Sequence, residues 1–225
     1  MSGTIFFIEV FGIQEYYFQT KKYVSKIIDG GSSFGISIIA KQIGMKKLNL
    51  GCGRKIFPGY VNVDNNPLLR KEGIIVHDLN IFPYPFKTSQ FDEIVMEHVL
   101  EHLEDPLAVL QEVYRIGKNG CIVKIKCPHF SYNWVHPLHK SPISSWLFGF
   151  LDTNNLEHYG NTNFVVESIK LFWLQETKEK RNVFIEVINK IISFLANIHI
   201  GITQRVFCYY VGGFEEIQFR AVVKK

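Results

Sequence analysis

Cysteine is scarce and badly spaced for structural work. The four residues, at positions 52, 121, 127 and 208, form no C-x-x-C pair and no even ladder. That excludes a zinc ribbon and a secreted disulfide scaffold, and it points to a reducing, cytoplasmic setting. A dominant sign of charge is lacking as well, since 25 Lys and Arg stand against 21 Asp and Glu. The basic residues are scattered (Lys21-Lys22, Lys46-Lys47, Lys178 to Arg181, Lys224-Lys225), not gathered into the dense face of a dedicated nucleic-acid binder, so nucleic acid is not an expected partner. Long uninterrupted apolar runs are also missing. The stretch Val183 to Val211 is broken by Glu186, Asn189, Lys190, Asn197, His199, Gln204 and Arg205, whereas a membrane span needs about 20 mostly apolar residues. Met1 to Ile13 carries neither a basic n-region nor a small-residue cleavage site, which argues against a signal peptide. What remains is a globular composition, 47% apolar and 20% charged over 225 residues, enough for one α/β domain with a sizeable core.

Punctuation divides the chain into an N-terminal extension, residues 1–44, and a domain over 45–225 whose core is 46–130. In the extension, Ile13 to Ile28 has helix-like apolar spacing and then breaks at Asp29-Gly30-Gly31-Ser32-Ser33. The core alternates short strand-like runs with crossovers, the mark of parallel βαβ units. The runs are Lys47 to Leu50, Tyr60 to Val63, Ile74 to His77, Phe91 to Met96 and Cys121 to Lys126. Before the last of these, Asp105-Pro106 reads as an N-cap with proline at the first helical position. Leu107 to Ile116 continues at helical spacing, and Gly117-Lys118-Asn119-Gly120 closes the helix and turns the chain. Beyond residue 130, Phe164 to Leu174 and Phe214 to Val223 are expected strands flanking a helix at Lys180 to Ile200. The basic residues of that helix beside Phe184, Val187, Ile191, Phe194 and Leu195 suit packing on the sheet, with peripheral contact to a membrane surface as the alternative.

Gly51 and Gly53 follow the first strand directly, where the missing side chains permit positive φ and a close ligand. A lone G-x-G is weak, but here it has company. Asp64 ends the second strand, where a carboxylate can meet a ribose diol; Asp78-Leu79 follows the third; Glu97-His98 follows the fourth. In an open parallel sheet these turns converge on one crevice beyond the carboxyl ends of the strands.

Leu48-Asn49-Leu50-Gly51-Cys52-Gly53, Val61-Asn62-Val63-Asp64, His77-Asp78-Leu79 and Phe91 through Leu103 together resemble the ordered motifs of class I S-adenosylmethionine-dependent methyltransferases. Cys127-Pro128-His129-Phe130 and His136-Pro137-Leu138-His139-Lys140 resemble a group of small microbial members of that class with unsettled substrates. The resemblance implies a Rossmann-like, mostly parallel seven-stranded sheet flanked by helices and S-adenosylmethionine as cofactor. By it, Asn49, Gly51, Cys52 and Gly53 wrap the methionine part, Asp64 meets the ribose, Asp78 and Leu79 the adenine, and Glu97 borders the methionine side. The expected acceptor is a small molecule or a glycan-like compound; the rival reading is a non-catalytic module that binds the cofactor or a protein partner. One departure stands out, because only Arg54 to Gly59 separates the glycine turn from the next strand. A parallel crossover ordinarily takes about a dozen residues or more, so the first helix is expected to be cut to a turn.

Histidines 129, 136 and 139 fall in the loop region after the fifth strand, and His129 and His139 are the candidate bases for an acceptor that must lose a proton. Cys52 reads as a packing residue, since nothing near it in sequence activates a thiolate. The segment His98-Val99-Leu100-Glu101-His102 spells H-x-x-E-H, a zinc pattern that requires a continuous helix. Asp105-Pro106 starts a new helix too soon for that, so the segment reads as a loop on the active-site rim and no metal is expected. The aromatic residues Phe148 to Tyr159, with Trp134, Trp146 and Trp173, suit core packing or a pocket wall.

Overall fold

The computed structural model describes residues 44–133, 135–151, 162–175 and 181–225. The expected helix Ile13 to Ile28, Trp134 and most of the aromatic run lie outside the described residues. Seven strands form one sheet: β1 (Lys47–Leu50), β2 (Tyr60–Asp64), β3 (Ile75–Val76), β4 (Phe91–Glu97), β5 (Gly117–Cys127), β6 (Phe164–Phe172) and β7 (Glu216–Val223). Their lateral order is β3-β2-β1-β4-β5-β7-β6. The first five pair in parallel, and β7 runs antiparallel between β5 and β6. This is the expected Rossmann-like sheet.

Central strands of such a sheet are covered on both faces and read as nearly continuous apolar runs. In β4 this holds from Ile94 to Met96, all buried, and Leu48, Leu50, Ile94, Met96, Val123 and Ile125 make the middle of the core. Helix α1 (Pro106–Ile116) begins as its sequence dictates. Asp105 accepts from the backbone N–H groups of Leu107 and Ala108, Pro106 fills the first turn, and Val109, Leu110, Val113 and Ile116 are buried. The following glycines do not make the expected turn. The backbone N–H of Gly117 still closes the helix on Val113, yet β5 starts at that same residue. Pairing jumps from Phe91↔Gly117 to Glu93↔Ile122, and Gly120, at φ 82, supplies the left-handed residue that the irregularity needs.

The amphipathic helix α2 (Val183–Ile198) turns a different face inward from the one its apolar residues suggest. Asn189, Ser193 and Asn197, spaced one turn apart, reach the main chain at and just past β6. Asn197 accepts from Leu171 N (2.9 Å) and donates to Leu171 O (2.8 Å), Ser193 accepts from Trp173 N (3.0 Å), and Asn189 accepts from Leu174 N (3.0 Å). An edge strand presents unpaired backbone groups, and here a polar helix stripe satisfies them. Phe184, Phe194 and Ile198 are left exposed. A bend of 107° leads into α3 (Ile200–Tyr210). Among the described residues, no single helix is long and apolar enough to cross a membrane.

Candidate active site at the ends of β1, β2 and β4

The order of strands reverses between β1 and β4, and a crevice beyond their carboxyl ends is where such sheets take ligands. At that point the backbone of Gly51 sits at φ 66. A Cβ built there would lie 2.4 Å from Cγ2 of Val99, in the loop after β4. Glycine is thus required twice, for its left-handed conformation and for the close approach of the two strand ends. Gly53, at φ 50, differs, because a Cβ there would meet open space.

The short connection from Gly51 to Gly59 contains no helix, as expected. Two asparagines facing each other across β1 and β2 hold it instead. Asn49 donates to Lys55 O (3.0 Å) and to Asn62 Oδ1 (2.9 Å). Asn62 accepts from Phe57 N (3.0 Å) and donates to the carbonyls of Phe57 (3.1 Å) and Tyr60 (3.0 Å). Both side chains are buried, so each bond replaces water and fixes the loop. Asn49 therefore braces the turn from within. Cys52 packs with Leu69 and Ile74 in a small cluster of its own, in keeping with a packing role.

Asp64 is the other clamp. Its Oδ2 accepts from Gly53 N at 2.7 Å and its Oδ1 from Asn66 N at 2.9 Å, so the carboxylate at the end of β2 is fixed directly against the glycine turn. Beyond β3, Asp78 accepts from the backbone and side-chain nitrogens of Asn80 (2.9 and 3.1 Å). The side chain of Leu79 is buried in the main core, and its carbonyl accepts from the Tyr84 hydroxyl at 2.9 Å. At the end of β4, Glu97 pairs with Lys55 through one oxygen and with Lys126, at 3.6 Å, through the other. The sequence reading missed both lysines. Lys55 lies in the shortened crossover and Lys126 directly before the C-P-H-F segment, and neither spacing announces a partner in β4.

His98 follows at φ 54, with Glu101 at 3.6 Å and Glu216 at 3.1 Å. These carboxylates push its pKa up to about 9 against the opposing effect of burial. Residues Leu100–His102 form a single 3-10 turn, so the H-x-x-E-H segment has no continuous helix. The loop of His136 and His139 folds back onto it. Lys140 N and Ser141 N donate to the Glu101 carbonyl (2.7 and 3.2 Å), and the rings of His139 and His102 lie 4.8 Å apart.

His129 stands elsewhere and has no surface. Its Nδ1 accepts from the Ser131 hydroxyl (2.8 Å), and its Nε2 faces Gln204 Oε1 (3.3 Å). Ser131 Oγ in turn accepts from Phe214 N at 2.9 Å. Since Gln204 Oε1 and Nδ1 both act as acceptors, the ring fits as the neutral Nε2–H tautomer, and burial lowers its pKa to about 4. Beside Gln204 opens a cavity of about 450 Å³ lined by Phe130, Ser144, Trp146, Ile202 and Arg205 among others.

Residues 48–125 match a family model described as a methyltransferase domain. No curated protein matches the chain. Among solved structures, a methyltransferase dependent on S-adenosylmethionine from Archaeoglobus fulgidus is 19% identical, covers 92% of this chain and 99% of its own, and has a TM-score of 0.50. The methyltransferase complexed with the Haloferax volcanii Trm112 methyltransferase activator is 13% identical over 81% of this chain and 84% of its own, with a TM-score of 0.51. The cyclase SpnF is 13% identical over 80% of this chain and 76% of its own, at a TM-score of 0.50. These likenesses are of fold. Together with the methyltransferase domain matched at Leu48 to Ile125, they make the chain similar in fold to S-adenosylmethionine-dependent methyltransferases.

Proposed function

We propose that this enzyme methylates a small-molecule or glycan-like acceptor, with the cofactor held at the ends of β1, β2 and β4. The observation that carries the assignment is the bond between Gly53 N and Asp64 Oδ2 at the strand switch point. It places a carboxylate beside a turn whose Gly53 leaves room for a ligand. When bound, S-adenosylmethionine supplies a methyl group already activated on a sulfonium. The chain's own contribution is to bind and orient, because bringing donor and acceptor into near-attack geometry removes most of the remaining barrier.

In this reading Gly51 and Gly53 line the methionine part, with Asn49 and Cys52 supporting the turn from inside. Glu97 and its lysines Lys55 and Lys126 present both signs of charge, which suits the zwitterionic end of an amino acid. Asp64 meets the ribose, and the Asp78-Leu79 turn borders the adenine. The acceptor takes the cavity beyond β5, where Trp146, 61% exposed, and Phe130 offer flat apolar faces and Ser144 and Arg205 offer polar ones. Sugar rings and small organic molecules both suit walls of that kind. Of the two candidate bases, His139 has solvent access and His129 has none. Four buried free cysteines suit a reducing compartment, and we place the reaction in the cytoplasm.

The test is incubation with methyl-labelled S-adenosylmethionine and cell extract, followed by separation by size. Label is expected in a low-mass or glycan fraction and is expected to vanish with Asp64→Ala. Label in nucleic acid would overturn the acceptor class, and cofactor binding without any transfer would favour the non-catalytic module.

A further inference from the structure

We propose that Glu101, His102 and His139 bind one divalent transition-metal ion of the zinc class. The three residues come from the 3-10 turn after β4 and from the loop after β5. Their ligating atoms all lie within 4.8 Å of one another. In a tetrahedral site with metal–ligand bonds of about 2.0–2.2 Å, ligand atoms stand about 3.4 Å apart. Closure by up to about 1.4 Å is within the reach of side-chain rotation at two half-buried histidines.

Glu101 is the observation that turns a cluster into a site. Its side chain is 1% exposed, and among the described residues neither carboxylate oxygen has a hydrogen-bond partner. Its cationic partner is His98, whose Nδ1 forms a loose ion pair with it at 3.6 Å, beyond hydrogen-bond reach, and which is shared with Glu216. A buried carboxylate with no hydrogen bond to either oxygen is costly even with one loose ion pair, and such groups are normally hydrogen-bonded or bound to metal. The supporting structure fits the same conclusion. His102 donates through Nδ1 to the Leu138 carbonyl at 3.2 Å, which leaves Nε2 with the lone pair. Metal-bound histidines are commonly oriented by just such a bond to a backbone carbonyl. The loop that delivers His139 is pinned to the Glu101 carbonyl by two backbone N–H groups, and His136 stacks on His139 at 4.6 Å.

Two imidazoles and one carboxylate form a mixed nitrogen and oxygen set. Such a set selects zinc, iron or manganese over magnesium and calcium, which prefer all-oxygen shells, and over copper(I), which prefers sulfur. Three protein ligands leave a fourth position for water or another oxygen. His139 is then a ligand, not a base.

Tag-free protein stripped with EDTA is titrated with zinc chloride by calorimetry, and cobalt(II) is added separately to read its visible d–d bands. One ion per chain is expected. Loss of an outer-shell partner already weakens metal binding about 10–100-fold, so His102→Ala and His139→Ala are each expected to weaken it by at least about 100-fold. His199→Ala, outside the cluster, should leave affinity unchanged. Circular dichroism of the metal-free variants verifies that they fold. Absence of stoichiometric binding in the wild type, a weak multi-site isotherm, or binding that survives in the His102→Ala/His139→Ala double variant would each overturn the proposal.

Discussion

Replacing Gly51 with alanine is expected to cost the fold about 3–4 kcal/mol and to remove measurable cofactor affinity. Two effects add. A side chain at φ 66 carries a left-handed strain of about 1–2 kcal/mol. The new Cβ would also lie 2.4 and 2.6 Å from the two Cγ atoms of Val99, and overpacking of this kind costs about 1–3 kcal/mol. Because total stabilities run at about 5–15 kcal/mol, the variant is expected to fold marginally. A double-mutant cycle separates the effects. Val99→Ala in the Gly51→Ala background should recover the steric part, giving a favourable coupling of about 1–2 kcal/mol, whereas Gly53→Ala should show the strain alone. Urea denaturation measures all five proteins: wild type, Gly51→Ala, Val99→Ala, their double variant and Gly53→Ala. Equal losses for Gly51→Ala and Gly53→Ala would show that the close approach to Val99 carries no weight.

Acidification between pH 6.5 and pH 4 is expected to destabilise the protein by about 3 kcal/mol through His129 alone. The sign follows from the direction of the shift. Burial lowers the pKa of His129 from 6.5 to about 4, so within that window the unfolded chain takes up a proton that the folded chain refuses. Above pH 6.5 the group contributes nothing, at pH 5 the penalty is about 2 kcal/mol, and below pH 4 it is complete, each pKa unit being worth about 1.4 kcal/mol. His129→Gln removes the titration. Urea unfolding of wild type and variant at pH 7 and pH 5 should therefore diverge by about 2 kcal/mol, and parallel losses would refute the buried neutral ring. The same environment explains why His129 is a structural keystone. It joins the segment after β5 to α3 through Gln204 and to the start of β7 through Ser131 and Phe214.

Much of this architecture is legible in the chain because local chemistry and global fold agree. The glycine turn, Asp64 and the apolar strands β1, β4 and β5 announce the switch point, and Asp105-Pro106 marks the start of α1. What could not be read depends on partners distant in sequence. Asn49 and Asn62 become a pair only once β1 and β2 are in register. Gly117 to Gly120 carry turn chemistry, and the structure uses it inside a strand, as an irregularity against β4. Helix α2 shows an apolar stripe, but the need of β6 for hydrogen bonds brings Asn189, Ser193 and Asn197 inward. In the same way, Glu101 and His102 gain His139 only because the loop after β5 is tied to the Glu101 carbonyl.

Calorimetric titration with S-adenosylhomocysteine, the demethylated form of the cofactor, tests the central claim most directly. One site per chain is expected, with heat that disappears in Asp64→Ala while the variant stays folded. Absence of binding to the wild-type protein, or undiminished affinity in Asp64→Ala, would contradict it.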